Sequence, residues 1–330
     1  MKNLNSKKIL VTGASGFIGS HVTELLLEAG ARVTAFVRYT SSGQAGFLDE
    51  FKNDCPKRLK IIRGDIRNRD DVCRAAKGND IIINLAAQIA IPYSYLAPDD
   101  FLDVNAGGFL NVYHAACEYK IKRVVQLSTS EVYGSAQYVP IDEKHPIVAQ
   151  SPYSASKISA DKLAESFFRS FAFPVVTARP FNTYGPRQSA RAVIPTIILQ
   201  ALTKKTIKLG NIDTRRDMNF VLDTASALIK IALSSKGTGG VYNLCTGIDI
   251  SIGEIVAIVE DIMGKKLTIK TERKRVRPKK SEVTRLMGDG SLADRTFRLK
   301  KRTDIRKGLK QTIVYFEKRI KTLNKEDYQL

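Results

Sequence analysis

The segment Lys8-Ile9-Leu10-Val11-Thr12-Gly13-Ala14-Ser15-Gly16-Phe17-Ile18-Gly19 decides the reading of the fold. Its first five residues are a short run rich in apolar and β-branched side chains, which predicts a buried strand. Three glycines follow at the spacing G-x-x-G-x-x-G. Ile18, Val22, Leu25, Leu26 and Ala29 then recur at helical intervals until Gly30 stops the pattern. Strand, glycine turn and helix in that order open a βαβ unit. The glycines allow a tight turn and a close backbone approach to a pyrophosphate. The helix start adds free N–H groups and the positive end of its dipole. The stretch therefore predicts dinucleotide binding.

Working outward, apolar runs at 32–37, 59–62, 80–85, 123–127 and 174–178 read as further strands. Helical patterns such as 101–119 and 154–171 separate them. Strands alternating with helices predict an α/β fold, a doubly wound parallel (Rossmann-like) sheet. The near-continuous apolar character of the strands fits a sheet covered on both faces. After about Phe181 the rhythm loosens. Helices are expected at 194–202 and 252–263, a strand near 241–244, and a last helix from about Leu309. The expected organisation is a dinucleotide-binding domain over 1–180, to which some later segments return. A smaller mixed α/β substrate-binding lobe follows over 181–330.

The 330 residues are 43% hydrophobic and 26% charged, enough for a sizeable core, which excludes a disordered or fibrous chain. No uncharged apolar run is long enough to span a bilayer. The apolar start is broken at Thr12-Gly13, so it does not read as a signal peptide. A soluble, cytoplasmic protein is expected. Cys55, Cys73, Cys117 and Cys245 form no Cys-x-x-Cys pair, which points to buried reduced thiols and to no metal site. Net charge is +20, and residues 265–310 hold 18 Lys/Arg against 5 Asp/Glu. Such an excess suits an anionic partner, a phosphorylated small molecule or nucleic acid, or else a lysine-rich solvated face.

Two further patterns bear on chemistry. The second strand ends Ala35-Phe36-Val37-Arg38-Tyr39-Thr40-Ser41-Ser42, without the acid that usually meets the adenosine ribose of NAD. Arg38 and the hydroxyls suit a 2′-phosphate, so the reading leans to NADP over NAD. Asp65 suits either the adenine amine or the cap of the next helix. Tyr153-Ser154-Ala155-Ser156-Lys157 is Tyr-x-x-x-Lys, which on a helix puts the ammonium beside the phenol. A neighbouring cation favours the phenolate and makes Tyr153 a general base for a sugar or alcohol hydroxyl.

These motifs stand together with Ser128-Thr129-Ser130-Glu131-Val132-Tyr133-Gly134, Asn84-Leu85-Ala86-Ala87, Asn105, Ser151-Pro152-Tyr153 and Arg179-Pro180-Phe181-Asn182-Thr183-Tyr184-Gly185-Pro186. In this combination the chain resembles the extended short-chain dehydrogenase/reductases acting on nucleotide sugars, the NAD-dependent epimerase/dehydratase family. The resemblance runs from the glycine loop to about Arg285. Within the family the chain is most similar to NDP-sugar 4,6-dehydratases, especially those acting on NDP-N-acetylglucosamine in legionaminic acid-type pathways. The segments Ala90-Ile91-Pro92-Tyr93-Ser94-Tyr95 and Arg187-Gln188-Ser189-Ala190-Arg191-Ala192-Val193-Ile194-Pro195 carry that closer match.

The resemblance implies a tightly bound NAD or NADP held by Gly13, Ser15, Gly16, Phe17, Ile18, Gly19, Arg38, Asp65, Ile66, Leu85, Ala86, Ala87, Asn105, Tyr153, Lys157 and Pro180. It implies catalysis by Thr129, Ser130, Glu131, Tyr153 and Lys157. Tyr153 takes the sugar 4-hydroxyl proton as carbon 4 loses hydride, and Lys157 holds the phenolate and the nicotinamide ribose. Glu131 takes the carbon-5 proton and, with or without Ser130, expels the 6-hydroxyl as water. The hydride then returns to carbon 6. Thr129, Asn182, Arg187, Arg216 and Arg277 would bind the NDP-sugar, UDP- or GDP-N-acetylglucosamine being expected, with guanidinium groups suited to the diphosphate. One departure is Thr129-Ser130-Glu131, where dTDP-glucose dehydratases carry Thr-Asp-Glu. GDP-mannose dehydratases and UDP-glucuronate decarboxylases share the Ser, so decarboxylation stays open, as does 4-epimerisation, which needs no carbon-5 base. A homodimer is implied, and neither nucleic acid nor a membrane is expected as partner. A dinucleotide sensor without chemistry would have no need of the Tyr/Lys/Glu set.

Overall fold

β1 (Lys8–Thr12) pairs in parallel with β2 (Arg32–Arg38), Ile9 opposite Val33, and β3 (Leu59–Gly64) continues that side. On the other side of β1 lie β4 (Ile81–Asn84), β5 (Arg123–Leu127) and β6 (Val175–Pro180), again all parallel. The computed structural model describes residues 4–272, 285–299 and 302–320. The second half of the chain adds β7 (Asn182–Tyr184), β8 (Thr206–Leu209), β9 (Arg215–Phe220), β10 (Val241–Leu244), β11 (Asp249–Ser251), β12 (Thr268–Thr271) and β13 (Arg285–Leu286). Of these, β10 returns to the first sheet and pairs with β6, giving seven strands in the order β10-β6-β5-β4-β1-β2-β3. The expected Rossmann-like parallel sheet is thus observed. The order reverses between β1 and β4, and in such sheets ligands bind beyond the strand C-termini at that reversal.

Period-two side-chain alternation explains the continuous apolar runs. Val11, Ile83 and Val125 pack on one face beneath α1 (Phe17–Glu28) and, from later in the chain, α8 (Val221–Leu233). Their neighbours Leu10, Ile82 and Val124 pack on the other face beneath α2 (Arg69–Ala76), α5 (Gly108–Glu118) and α6 (Pro152–Phe171). Between α2 and α5 come two short helices, α3 (Ile91–Ser94) and α4 (Pro98–Leu102). A separate apolar core joins β8 and β9 to α7 (Val193–Thr203), α9 (Ile252–Met263) and α11 (Ile305–Arg319). A further helix, α10 (Ser291–Phe297), sets Phe297 against Tyr242 of β10. β7, β9, β11 and β13 form a second sheet next to the first, and β8 pairs with β12 alone.

Three expectations need correction. The helix read over 101–119 is divided: after α4 the chain makes a π-helical turn, Asp103–Gly107, before α5. Gly107-Gly108 is a weak helical stretch, and the Asn105 side chain is engaged across to Gln88 and Ser156. The last helix begins at Ile305, because Asp304 caps it by accepting from the Arg306 and Lys307 N–H groups. The cysteines are not uniformly buried: Cys73 and Cys245 are, Cys55 is half-buried and Cys117 is exposed.

Candidate active site

At two of its three glycines, Gly13 and Gly19, the turn has no room for a side chain. A Cβ at Gly19 would fall 2.1 Å from the Gly13 carbonyl oxygen, and one at Gly13, where φ is +63°, would fall 2.8 Å from the Ala86 nitrogen. Gly16 is the N-cap of α1, no side chain caps it and no acid stands in the first turn. The Thr12 hydroxyl accepts from the Leu85 and Ala86 N–H groups, fixing the loop after β4 against this turn. A cradle without side chains, with the start of a helix facing it, fits a pyrophosphate. Arg38 ends β2 exposed. Asp65 does not cap α2; Asn68 does. Asp65 instead receives the Arg67 guanidinium at 2.7 Å, and that bond first, with Arg38 adding to it, holds its carboxyl below the usual range. Buried Ile66 packs where a Cβ on Gly108 would lie. Asn105 acts as a brace: it accepts from the Gln88 N–H and donates to the Ser156 hydroxyl, tying the loop after β4 to α6. Pro180 closes β6 at the same end of the sheet.

Across that end runs a ladder of buried polar groups. The Thr12 hydroxyl donates to Asn84 at 2.5 Å, and Asn84 donates to Gln126 at 2.7 Å. Next to it, α6 starts at a reciprocal Ser151/Ser154 capping box with Pro152 in its first turn, which places buried Tyr153 in the same turn. The turn after β5 begins at Thr129, whose hydroxyl accepts from the Glu131 N–H and bonds the Tyr153 phenol. Buried Ser130 and half-buried Glu131 follow, so the turn holds Thr129, Ser130 and Glu131 beside Tyr153. Phe101 sets its ring edge to Tyr153 at a centroid distance of 6.2 Å, and Tyr93 lies 6.1 Å beyond Phe101. Sequence reasoning had given Phe101 and Tyr93 no role.

The electrostatics differ from the expected phenolate–ammonium pair. Burial pushes the Tyr153 phenol well above its ordinary value, Glu131 and Asp161 add to the push, and only the Thr129 bond opposes it. The Lys157 ammonium donates 2.6 Å to the Leu127 carbonyl, and burial lowers it to about 8 against the attraction of Asp161. Asp161, one turn beyond Lys157, is 5% exposed; it accepts from Ser128 at 2.8 Å and pairs with Arg179 at 3.0 Å. Arg179 donates on to the Tyr133 hydroxyl, which donates to Asn243 of β10. The turn is therefore pinned before Thr129 and after Glu131 by a buried network. Of that network the sequence had singled out only the stretches containing Ser128, Tyr133 and Arg179, without a role.

A second cleft of 350 Å³ opens against β7 and β9. Asn182, Arg216, Gln188, Arg191, Asn211 and Thr214 line it. The Asn182 Oδ1 and Gln188 Oε1 are buried without a hydrogen-bond partner. Two of the five residues expected to bind the NDP-sugar, Asn182 and Arg216, meet here. Arg187 does not line the cleft: its guanidinium pairs with Glu24 at 2.7 Å and Glu50 at 3.4 Å, closing α1 onto the following turn. Arg277 lies outside the described residues. Gln188 and Arg191 fall within the stretch that carried the dehydratase likeness, and that was the signal available for them.

A parallel α/β sheet with a glycine cradle, a Tyr-x-x-x-Lys helix and a polar cleft beside it defines the short-chain dehydrogenase/reductase class, in its larger, two-sheet form. Residues 10–312 match the GDP-mannose 4,6 dehydratase family. The chain is 31% identical to a low-salt glycan biosynthesis protein of Haloferax volcanii over 262 residues, 78% of this chain and 82% of that one. It superposes on a UDP-N-acetylglucosamine 4-epimerase from Methanobrevibacter ruminantium, solved with UDP-N-acetylmuramic acid. That match has a TM-score of 0.86 at 29% identity and covers 97% of this chain and 100% of that one. A dTDP-glucose 4,6-dehydratase from Bacillus anthracis, solved with NAD, matches with a TM-score of 0.83 at 27% identity, covering 95% and 97%. The chain belongs to this family of NAD-dependent nucleotide-sugar dehydratases and epimerases.

Proposed function

We propose that the protein is an NDP-sugar 4,6-dehydratase, converting an NDP-hexose, UDP- or GDP-N-acetylglucosamine by its closer resemblance, into the 4-keto-6-deoxy sugar. The observation that carries this reading is the placement of a second potential base, Glu131, beside Tyr153 on the turn that Thr129 starts. A 4-epimerase has no need of a carbon-5 base. In this reading Tyr153 exchanges a proton with the sugar 4-hydroxyl, and Thr129 orients that hydroxyl. Glu131 takes the carbon-5 proton, with Ser130 next to the departing 6-hydroxyl. Asn182 and Arg216, which line the cleft against β7 and β9, hold the diphosphate.

The glycine cradle fits a nicotinamide dinucleotide, which when bound accepts hydride from carbon 4 and gives it back. NAD is the better-supported form, because the Bacillus anthracis dehydratase was solved with it; exposed Arg38, the hydroxyls of Thr40, Ser41 and Ser42 and the missing acid at the end of β2 favour NADP. Incubation with UDP-N-acetylglucosamine, GDP-mannose, dTDP-glucose and UDP-glucuronate, followed by mass spectrometry, tests the reaction. Loss of water from one of them is expected. Loss of carbon dioxide would make the protein a decarboxylase, and a product of unchanged mass would make it an epimerase.

A further inference from the structure

In the proposed reaction the cleft against β7 and β9 receives the nucleotide sugar, and its side chains also bear on which nucleotide that is. Two guanidinium groups line it, Arg191 and Arg216, and among the described residues no carboxylate does. Its amide oxygens are withheld as well. Asn211 lines the cleft from the loop between β8 and β9, and its Oδ1 accepts from the Asp213 N–H at 2.9 Å. Asn182 Oδ1 and Gln188 Oε1 are buried out of a ligand's reach. An amide whose oxygen is committed has only its NH2 group left to give, so exposed Asn211 presents donors. Among its acid and amide side chains the cleft therefore offers hydrogens and no open acceptor.

Val193, the first residue of α7, lines the same cleft with its apolar side chain 36% exposed. Apolar surface left open in a cleft gives the flat face of a base somewhere to lie. The bases differ in what their edges ask of such a place. Uracil and thymine carry a carbonyl, O4, where cytosine carries an amine. Guanine has a carbonyl too, O6, but an N–H and an NH2 stand beside it. A carboxylate, with two acceptor oxygens, is the side chain suited to take both. Without one, those donors lose their partners on leaving water, which is costly.

We propose that the cleft selects a nucleotide whose pyrimidine carries the O4 carbonyl, a uridine or thymidine diphosphate, over a guanosine or cytidine diphosphate. Asn211 donates to O4, Val193 lies against the base, and Arg191 and Arg216 face the diphosphate. This assignment rests on the reading of the cleft as the nucleotide-sugar site, and not on which reaction follows.

Calorimetric titration of the full-length protein with UDP, dTDP, CDP and GDP tests it, with saturating NAD present to keep the nucleotides out of the glycine cradle. Saturable binding of UDP or dTDP is expected, and their two titrations decide between uracil and thymine. CDP and GDP should each bind about tenfold or more weaker than the better of the two. Asn211→Asp puts acceptors where donors stood. It should lower the ratio of UDP to GDP affinity by about tenfold, whatever the added charge does to both. Because Asn211 is exposed, this variant should keep its fold, which circular dichroism checks. Absence of saturable binding by both UDP and dTDP, GDP or CDP binding as tightly as either, or a ratio unmoved by Asn211→Asp would overturn the assignment. The expected selectivity without turnover of any NDP-sugar would count against the proposed reaction and leave the assignment standing. Dehydration of a GDP-sugar in preference to its UDP and dTDP counterparts would do the reverse.

Discussion

At the ends of β1, β4 and β5 most polar side chains are held by other groups of the protein. Thr12 holds Asn84, Asn84 holds Gln126, Ser128 holds Asp161, and Lys157 holds the Leu127 carbonyl. Against β7 and β9 the polar side chains of Asn182, Gln188, Arg191 and Arg216 line a cleft instead. On the proposed reaction the first region is a rigid frame for proton transfer, whose geometry must exist before substrate arrives. On the same reading the second, a polar cleft, receives the nucleotide sugar. Chemistry would then reside in the first region and the choice of substrate in the second.

The sharpest way to break this contrast is in the frame. Tyr153→Phe removes the phenol and nothing that packs, so turnover should fall by about 10²–10⁴-fold while the melting temperature stays near wild type. Turnover within a factor of a few of wild type would remove Tyr153 from the chemistry. Glu131→Gln should cut product formation over a similar range while leaving substrate binding, measured by calorimetry, unchanged. A loss of affinity with normal turnover would move Glu131 from chemistry to recognition.

In the second region the effect should be smaller and of another kind. Arg216→Ala should weaken nucleotide-sugar binding by about 1.5–3 kcal/mol, the worth of a charge-assisted hydrogen bond, with little change in dinucleotide affinity. Equal weakening of both ligands would show that the two regions are not separable.

A pH experiment sharpens the frame's cost. Lys157 titrates near 8 in the folded chain and at about 10.4 when unfolded. Between those values the unfolded chain holds the proton and the folded chain does not, so this group makes stability rise with pH across that window. Below it the full cost of burying the ammonium is present. Denaturation of wild type and Lys157→Met from neutral pH to about 10 should show the rise only in wild type; parallel curves would refute it. The raised Tyr153 phenol acts oppositely, lowering stability above about pH 10 as the unfolded chain loses its proton first. The smallest effect is expected at exposed Arg38: Arg38→Ala should weaken NADP more than NAD by about 1 kcal/mol or less. A wild-type protein that binds NADP no better than the variant does would leave Arg38 a surface residue.

The same contrast governs what could be read from the sequence. The glycine turn, the apolar strands and the Tyr153/Lys157 spacing are local patterns, and the fold they predict is the one observed. Contacts between distant segments carry no such pattern. Arg187 looks like a phosphate ligand until Glu24 and Glu50 are seen beside it. Asp65 looks like a cap until Arg67 takes its carboxylate. The link from Asp161 through Arg179 and Tyr133 to Asn243 joins four segments, and no spacing rule announces it. Helix 101–119 fails for a related reason: a side chain committed across the site, that of Asn105, sits where the local pattern is only helical.

The return of β10 to the first sheet has a consequence for the chain as it leaves the ribosome. Until Leu244 has been synthesised, the outer edge of β6 has no neighbour, and without α8 one face of the sheet is bare around Val125. A nascent chain ending near Pro180 would carry an open, apolar strand edge, the kind of surface on which chains pair with one another. The first sheet can therefore close only after part of the second sheet has been made, so the order of synthesis and the order of the finished strands do not coincide.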